Sequence, residues 1–125
     1  ARSDRCRPAG RHARAGRPMR HIGRAVERRA RKAGFSVIAD LAGHGVGRGI
    51  HEPPMVWNVE VPRDRTVLHE GLVLAIEPFL TAGAPAIVKD SDGWTLRTVD
   101  GAVAAQFEHT VVVTAGEPIV LTAAA

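Results

Sequence analysis

Beyond Gly34, glycine and proline cut the chain into short apolar runs, and the pattern becomes one of strands and turns. Residues 36–41 form a brief β-prone run, followed by the glycine-dense loop Gly43-His44-Gly45-Val46-Gly47-Arg48-Gly49. Pro53-Pro54 forces an extended segment. Residues 72–76 read as a buried strand ended by Pro78, and residues 94–99 as an alternating strand. Asp100-Gly101 is a hairpin-turn signal. Residues 106–114 and 119–122 are further strands, separated by Gly116-Glu117-Pro118. The pattern predicts a mainly antiparallel β arrangement without an internal repeat.

One helix precedes it. Over residues 18–33, Ile22, Ala25, Val26, Ala30 and Ala33 recur at three- and four-residue steps and mark an apolar stripe. Pro18 suits the first turn. Arg28, Arg29, Arg31 and Lys32 place positive charge where the helix dipole favours it, and Gly34 stops the helix.

Charge divides the chain unevenly. Residues 1–32 carry 12 Lys and Arg against Asp4 and Glu27, whereas residues 33–125 carry 5 against 11 acids. Residues 1–17 interleave Arg with Gly, Ala and Pro, show no apolar period, and read as an irregular or disordered tail. A solvated tail, a nucleic-acid arm and a targeting peptide are the readings open to it. The segment lacks the aromatics that stack on bases and the apolar core of a secretory signal. The domain proper is therefore expected over 18–125. At 45% hydrophobic and 24% charged the composition is globular, and no apolar run approaches the roughly 20 residues of a membrane span. Aromatics make up only 4% of the chain, so the core must be built from Val, Ile, Leu and Ala.

Common catalytic motifs fail. The glycine loop satisfies neither a dinucleotide nor a P-loop pattern. His51-Glu52 lacks the second His of a zincin, and Pro53-Pro54 would break the helix that motif needs. No Ser sits in a nucleophile elbow. The single Cys6 can make no internal disulfide, and nothing around it in the polar tail would activate it.

Four ionisable residues remain in apolar or glycine-rich surroundings. His44 lies between two glycines, Glu77 ends an apolar strand, Glu108 sits between Phe107 and Val111-Val112-Val113, and His51 follows Ile50. A carboxylate in such a place is costly unless paired or bound to a metal. Two carboxylates and an imidazole make an oxygen and nitrogen donor set suited to Mn, Fe, Co or Zn. Read singly, the same residues are strand-end carboxylates facing solvent and loop histidines.

Five strings occur in order: Gly43-His44-Gly45-Val46-Gly47-Arg48, Ile50-His51-Glu52-Pro53-Pro54, Ala75-Ile76-Glu77-Pro78, Asp92-Gly93-Trp94-Thr95 and Ala105-Gln106-Phe107-Glu108-His109-Thr110. Together with the helix, they resemble the C-terminal half of type I methionine aminopeptidases, over about residues 22–122. Prolidases share the first three strings but differ around Glu108. Type II enzymes carry an insertion for which the interval from Glu77 to Glu108 has no room.

The resemblance implies an α/β (α+β) architecture, part of the "pita-bread" fold of the creatinase/aminopeptidase superfamily, in which a curved antiparallel sheet holds two divalent metal ions. It implies that His44 and Glu77 ligate one metal, that Glu108 bridges both, and that Glu77 or its neighbouring carboxylate at the metals is the candidate to move the proton in catalysis. His51 would contact substrate beside the scissile carbonyl, and Ile50 and Trp94 would line the methionine pocket; core packing is the other reading of Trp94. The family uses two further Asp ligands and another His from an upstream segment. Before Pro18 only Asp4 is acidic. The expectation is therefore part of a longer protein, holding one metal at most (Co, Mn, Fe or Zn) and cleaving little by itself, with an unpaired sheet edge where the missing half would join. The implied setting is cytoplasmic, with the N-terminus of a nascent polypeptide as partner, near the ribosome, without a membrane or a specific nucleic acid. A non-catalytic peptide-binding module on the same fold is the alternative.

Overall fold

The computed structural model describes residues 11–123. Helix α1 (Arg20–Lys32) buries Ile22, Val26 and Ala30 along its apolar stripe, with Arg29, Arg31 and Lys32 in its last turn. Gly34 adopts φ +79°, which a side chain would disfavour, and Phe35 N–H returns to Ala30 O at 3.0 Å to close the helix. The helix is drawn tightly onto residues 57–60. A Cβ on Gly23 would collide with Val59 O, Arg24 meets the Glu60 carboxylate at 2.5 Å, and Glu60 N–H donates to Glu27 Oε2 at 3.2 Å.

The strands are β1 (Ser36–Val37), β2 (Gly43–Gly45), β3 (Glu52–Val56), β4 (Val73–Ile76), β5 (Phe79–Thr81), β6 (Ile87–Lys89), β7 (Leu96–Thr98), β8 (Ala104–Gln106), β9 (His109–Val112) and β10 (Ile119–Val120). They form a five-stranded sheet in the order β10-β9-β4-β2-β3, a three-stranded sheet β1-β5-β8 and the pair β6-β7, all antiparallel. The larger sheet carries the main core: Met19, Ile22, Val56, Leu68, Leu74, Ile76, Val111 and Val113. Val26, Ala30 and Val37 form a second, smaller cluster beneath the helix. Among the described residues, β3 and β10 are paired on one side only. β3 carries Pro53 and Pro54, which such an edge tolerates because no donor is demanded of them.

One register runs through all three sheets. Val73 faces Val112 and Ile76 faces His109; farther out Phe79 faces Gln106, Thr81 faces Ala104, Ile87 faces Thr98 and Lys89 faces Leu96. Residues 73–112 are therefore a single long hairpin ribbon that crosses from sheet to sheet. Its tip is closed by Asp90 N–H to Thr95 O at 2.8 Å, with Gly93 at φ +71°.

This corrects the expected hairpin turn at Asp100-Gly101. Gly101 does take φ +70°, but the turn is a bend within one arm of the ribbon. The Asp100 carboxylate accepts Ala84 N–H from the opposite arm at 2.7 Å and Ala102 N–H at 3.0 Å, so a local turn signal was used to kink a strand. The strand expected over 106–114 likewise divides, breaking at Phe107-Glu108 between β8 and β9.

The expected irregular tail falls partly outside the described residues, at 1–10. Over 11–17 the backbone is irregular but packed. Ala13 is fully buried, Ala15 N–H reaches Thr114 O and Gly16 N–H reaches Leu68 O, and Arg14 pairs with Glu117. Small residues spaced between the arginines allow that close approach, which a search for apolar periodicity overlooks.

Candidate metal centre

His44 lies on an interior strand of the five-stranded sheet, on β2 between the edge strand β3 and the central β4. Its flanking glycines let the strands close in: a Cβ on Gly43 would collide with Ala75 O, and one on Gly45 with Pro53 O. The Nδ1 atom lies 2.9 Å from Gly45 O, and a carbonyl only accepts, so Nδ1 carries the proton. This leaves Nε2, the ring's other nitrogen, 3.1 Å from Glu77 Oε1. A backbone bond at one ring nitrogen that frees the other for a cation is the usual arrangement of a metal-binding imidazole.

Glu77 lies where the ribbon leaves the five-stranded sheet. Its Oε2 accepts Gln106 Nε2–H at 2.9 Å, so the two carboxylate oxygens have different partners. Its carbonyl oxygen accepts the Nδ2 of fully buried Asn58 at 3.3 Å, while the same amide donates to Leu41 O at 2.9 Å. The helix thus reaches the site indirectly, because it fixes residues 59 and 60, next to that asparagine.

Glu108 is directly opposite Glu77. The ribbon's register places Ile76 against His109 and Phe79 against Gln106, and Phe107 N–H donates to Pro78 O at 3.3 Å, which leaves Glu77 and Glu108 as facing residues. Opposed residues of an antiparallel pair project to the same side. Burial first, and then the negative charge of Glu108, push the Glu77 carboxyl above its ordinary range; His44, Gln106 and His51 offset part of that rise. A proton on Glu77 Oε1 would donate to His44 Nε2, and a cation between the two would serve in its place.

His51 comes from the loop joining β2 to β3. Its ring centroid is 4.2 Å from that of His44, tilted by 53°. Ile50, beside it, is 73% exposed. Trp94 sits at the ribbon tip with its N–H on Asp92 and is 85% exposed, so core packing is not its role. The structure brings together His44, His51 and Glu77, sets Glu108 across from Glu77, and leaves Ile50 and Trp94 uncovered.

Among the described residues, no three His, Cys, Asp or Glu side chains converge closely enough to hold a metal ion. The expected triple of His44, Glu77 and Glu108 is therefore not a closed cage; Glu108 stands on an exposed stretch and acts on Glu77 through its charge. The donor chemistry nevertheless suits a divalent cation in part, with an imidazole nitrogen and a carboxylate already facing each other at 3.1 Å.

Sequence reasoning missed Gln106, Asn58 and Glu52. Gln106 and Glu52 lie inside strings already singled out, within two residues of Glu108 and His51 respectively, and that nearness was their signal. Asn58 carried none.

The family model for "Metallopeptidase family M24" matches residues 7–115. The chain belongs to this metallopeptidase family. It is 48% identical over 111 residues to methionine aminopeptidase 2 of Bacillus subtilis, covering 88% of this chain and 45% of that protein. It is 43% identical over 109 residues to a methionine aminopeptidase of Aquifex aeolicus, covering 86% and 42%. The crystal structure of a methionine aminopeptidase from Thermotoga maritima superposes with a TM-score of 0.90 at 36% identity, covering 97% of this chain and 49% of that one. The chain thus spans less than half the length of the curated relatives it matches. The architecture is that of the pita-bread fold, of which the chain carries one helix and the antiparallel sheets. M24 metallopeptidases use divalent metals, and the imidazole and carboxylate found here are donors that such ions accept. Among the described residues, no helix is long and apolar enough to cross a membrane.

Proposed function

We propose that this chain contributes the His44, Glu77 and Glu108 side of a divalent-metal centre in an aminopeptidase that removes N-terminal methionine. The observation that carries the reading is the 3.1 Å approach of His44 Nε2 to Glu77 Oε1, with Glu108 opposite, at the point where the ribbon leaves the sheet. Methionine aminopeptidases at 43–48% identity support the choice of substrate class.

In this reading His44, Glu77 and Glu108 would hold the metal, and Co, Mn, Fe or Zn would meet the donor set. When bound, divalent metal supplies an acidified water and polarises the peptide carbonyl. Glu77 holds and moves the proton, and Gln106 orients its carboxylate by fixing Oε2. His51 donates a hydrogen bond beside the scissile carbonyl, and Ile50 and Trp94 contact the methionine side chain. The substrate is the N-terminus of a nascent polypeptide in the cytoplasm.

With three carboxylate and imidazole donors the chain holds one ion at most, because two dications would remain undercompensated. The two further Asp ligands of the family, on this reading, come from outside the present sequence. Calorimetric titration of the chain with Mn or Co is expected to show a single weak site, abolished by His44→Ala, and no cleavage of Met-peptides. Two tight sites with peptide cleavage would overturn the reading, as would weak binding that survives both His44→Ala and Glu77→Gln.

A further inference from the structure

We propose that Glu52 is a positioning residue that holds His51 over His44; this rests on the reading of His44 as a metal donor. Neither the glycines of the β2–β3 loop nor His51 itself explains why the two imidazoles meet. Among the described residues the His51 side chain makes no hydrogen bond, and it is exposed, yet its ring lies 4.2 Å from that of His44. Something else must fix the loop.

The loop is pinned at both ends. At its start Val46 N–H donates to Val73 O at 2.9 Å, tying it to β4. At its far end the Glu52 carboxylate accepts Gly49 N–H through Oε1 at 2.6 Å, while Gly47 N–H donates to Gly49 O at 3.1 Å inside the turn. The Glu52 carboxylate fills the concave side of the loop. A Cβ on Gly47 would collide with Oε2, and one on Gly49 would lie 3.4 Å from Oε1. Gly47 therefore leaves room for the carboxylate.

The strand register explains how Glu52 gets there. Gly43 faces Val56 and His44 faces Met55, but Gly45 faces Glu52, so Pro53 and Pro54 are extra residues on the β3 side. The irregularity folds β3 back and brings the Glu52 side chain under the loop that carries Ile50 and His51. A charge-assisted bond from a carboxylate to a backbone N–H is stronger than a neutral one, enough to order a short loop. Glu52 touches no reacting group; it acts through His51.

The test uses the full chain, with labelled histidines and backbone amides followed by NMR. Unaltered chain is expected to show a nuclear Overhauser contact between the His44 and His51 rings and a protected Gly49 amide. Glu52→Ala is expected to abolish the ring contact and to speed Gly49 exchange by about tenfold, leaving the Val26 amide of α1 unchanged. Glu52→Gln, whose amide oxygen still accepts but without charge, is expected to keep the ring contact and part of the Gly49 protection. If Glu52→Ala does not fold, Glu52→Asp is read instead, since it keeps the charge but falls one methylene short. Retention of the ring contact and of Gly49 protection in the alanine or aspartate variant would overturn the proposal. So would their loss in Glu52→Gln to the same extent. Failure of the metal reading shows separately, as absence of calorimetric binding to the unaltered chain, and leaves the ring contact untouched.

Discussion

The five-stranded sheet and the outer part of the ribbon share one pairing register but differ in cover: among the described residues of the ribbon beyond the sheet, only β5 packs beneath the helix, through Leu80 and the buried Thr81. In the sheet, Leu74 and Val113 are fully buried and Val111 almost so, against Met19 and Ile22. In the outer ribbon every residue of β8 is exposed, and Val103 and Trp94 are 81% and 85% exposed. Identical backbone pairing therefore gives a packed platform where helix α1 and residues 13–19 lie against it, and a largely uncovered arm at β6, β7 and β8, where they do not reach. Glu77 and Glu108 stand at the crossing between the two, one on each arm of the ribbon. Their backbone is anchored by the sheet on one side; the Glu77 carboxylate turns onto His44 and Gln106, whereas Glu108 is exposed.

The comparison breaks most visibly if burial is not what separates the regions. Leu74→Ala is expected to cost about 2–5 kcal/mol in urea denaturation, because a fully buried side chain leaves a cavity in the sheet's core. Trp94→Ala, at the ribbon tip, is expected to stay within about 0.5 kcal/mol. Equal losses would show that the ribbon is packed in solution. Next in size, Gly23→Ala forces a methyl against Val59 O and is expected to cost about 1–3 kcal/mol by overpacking, seen as a lowered melting temperature.

At the crossing, the effect is electrostatic and depends on pH. Burial and Glu108 raise the Glu77 carboxyl above its ordinary 4.5, so the folded chain binds that proton more tightly than the unfolded chain. The associated stability is present below pH 4.5 and is lost as pH rises through the raised folded value. With metal removed by chelation, Glu77→Gln is expected to flatten this decline, and a denaturation series over pH is the check. An unchanged decline in the variant would assign it to other groups.

The smallest effect belongs to the ribbon tip. Asp92 accepts from Trp94 N–H, Thr95 N–H and Thr95 Oγ1, and these bonds hold its carboxyl below the ordinary range. Their contribution is present above pH 3.8 and fades as pH falls through the lowered folded value. Asp92→Ala is expected to speed exchange of the Thr95 amide without moving global unfolding. A shift in the global midpoint would mean that the tip and the sheet unfold as one unit.

Much of this was legible in the chain itself. The helix over 18–33 is found at Arg20–Lys32, and the strand over 72–76 at Val73–Ile76, because a repeating apolar stripe and a run ended by proline act locally. His44 between glycines and the two glutamates beside apolar runs were visible as misplaced charge. Asp100-Gly101 was read as a hairpin turn and proved to be a bend, since a turn residue cannot state which strands it joins. The packing of residues 11–17 was hidden for a related reason: Ala13 is buried by its neighbours in space, without a periodic pattern of its own.

What the sequence by itself determined is the set of local elements and the chemical types available to a site, because propensity, punctuation and charge placement depend on near neighbours. Only the tertiary structure decided that Glu77 and Glu108, 31 residues apart along the chain, face each other across one ribbon. It alone placed Nε2 of His44 against the first of these carboxylates and tucked Glu52 under the loop of His51. The reason is that strand register is set by long-range pairing and burial, and a shift of one residue would have turned those side chains to the opposite face.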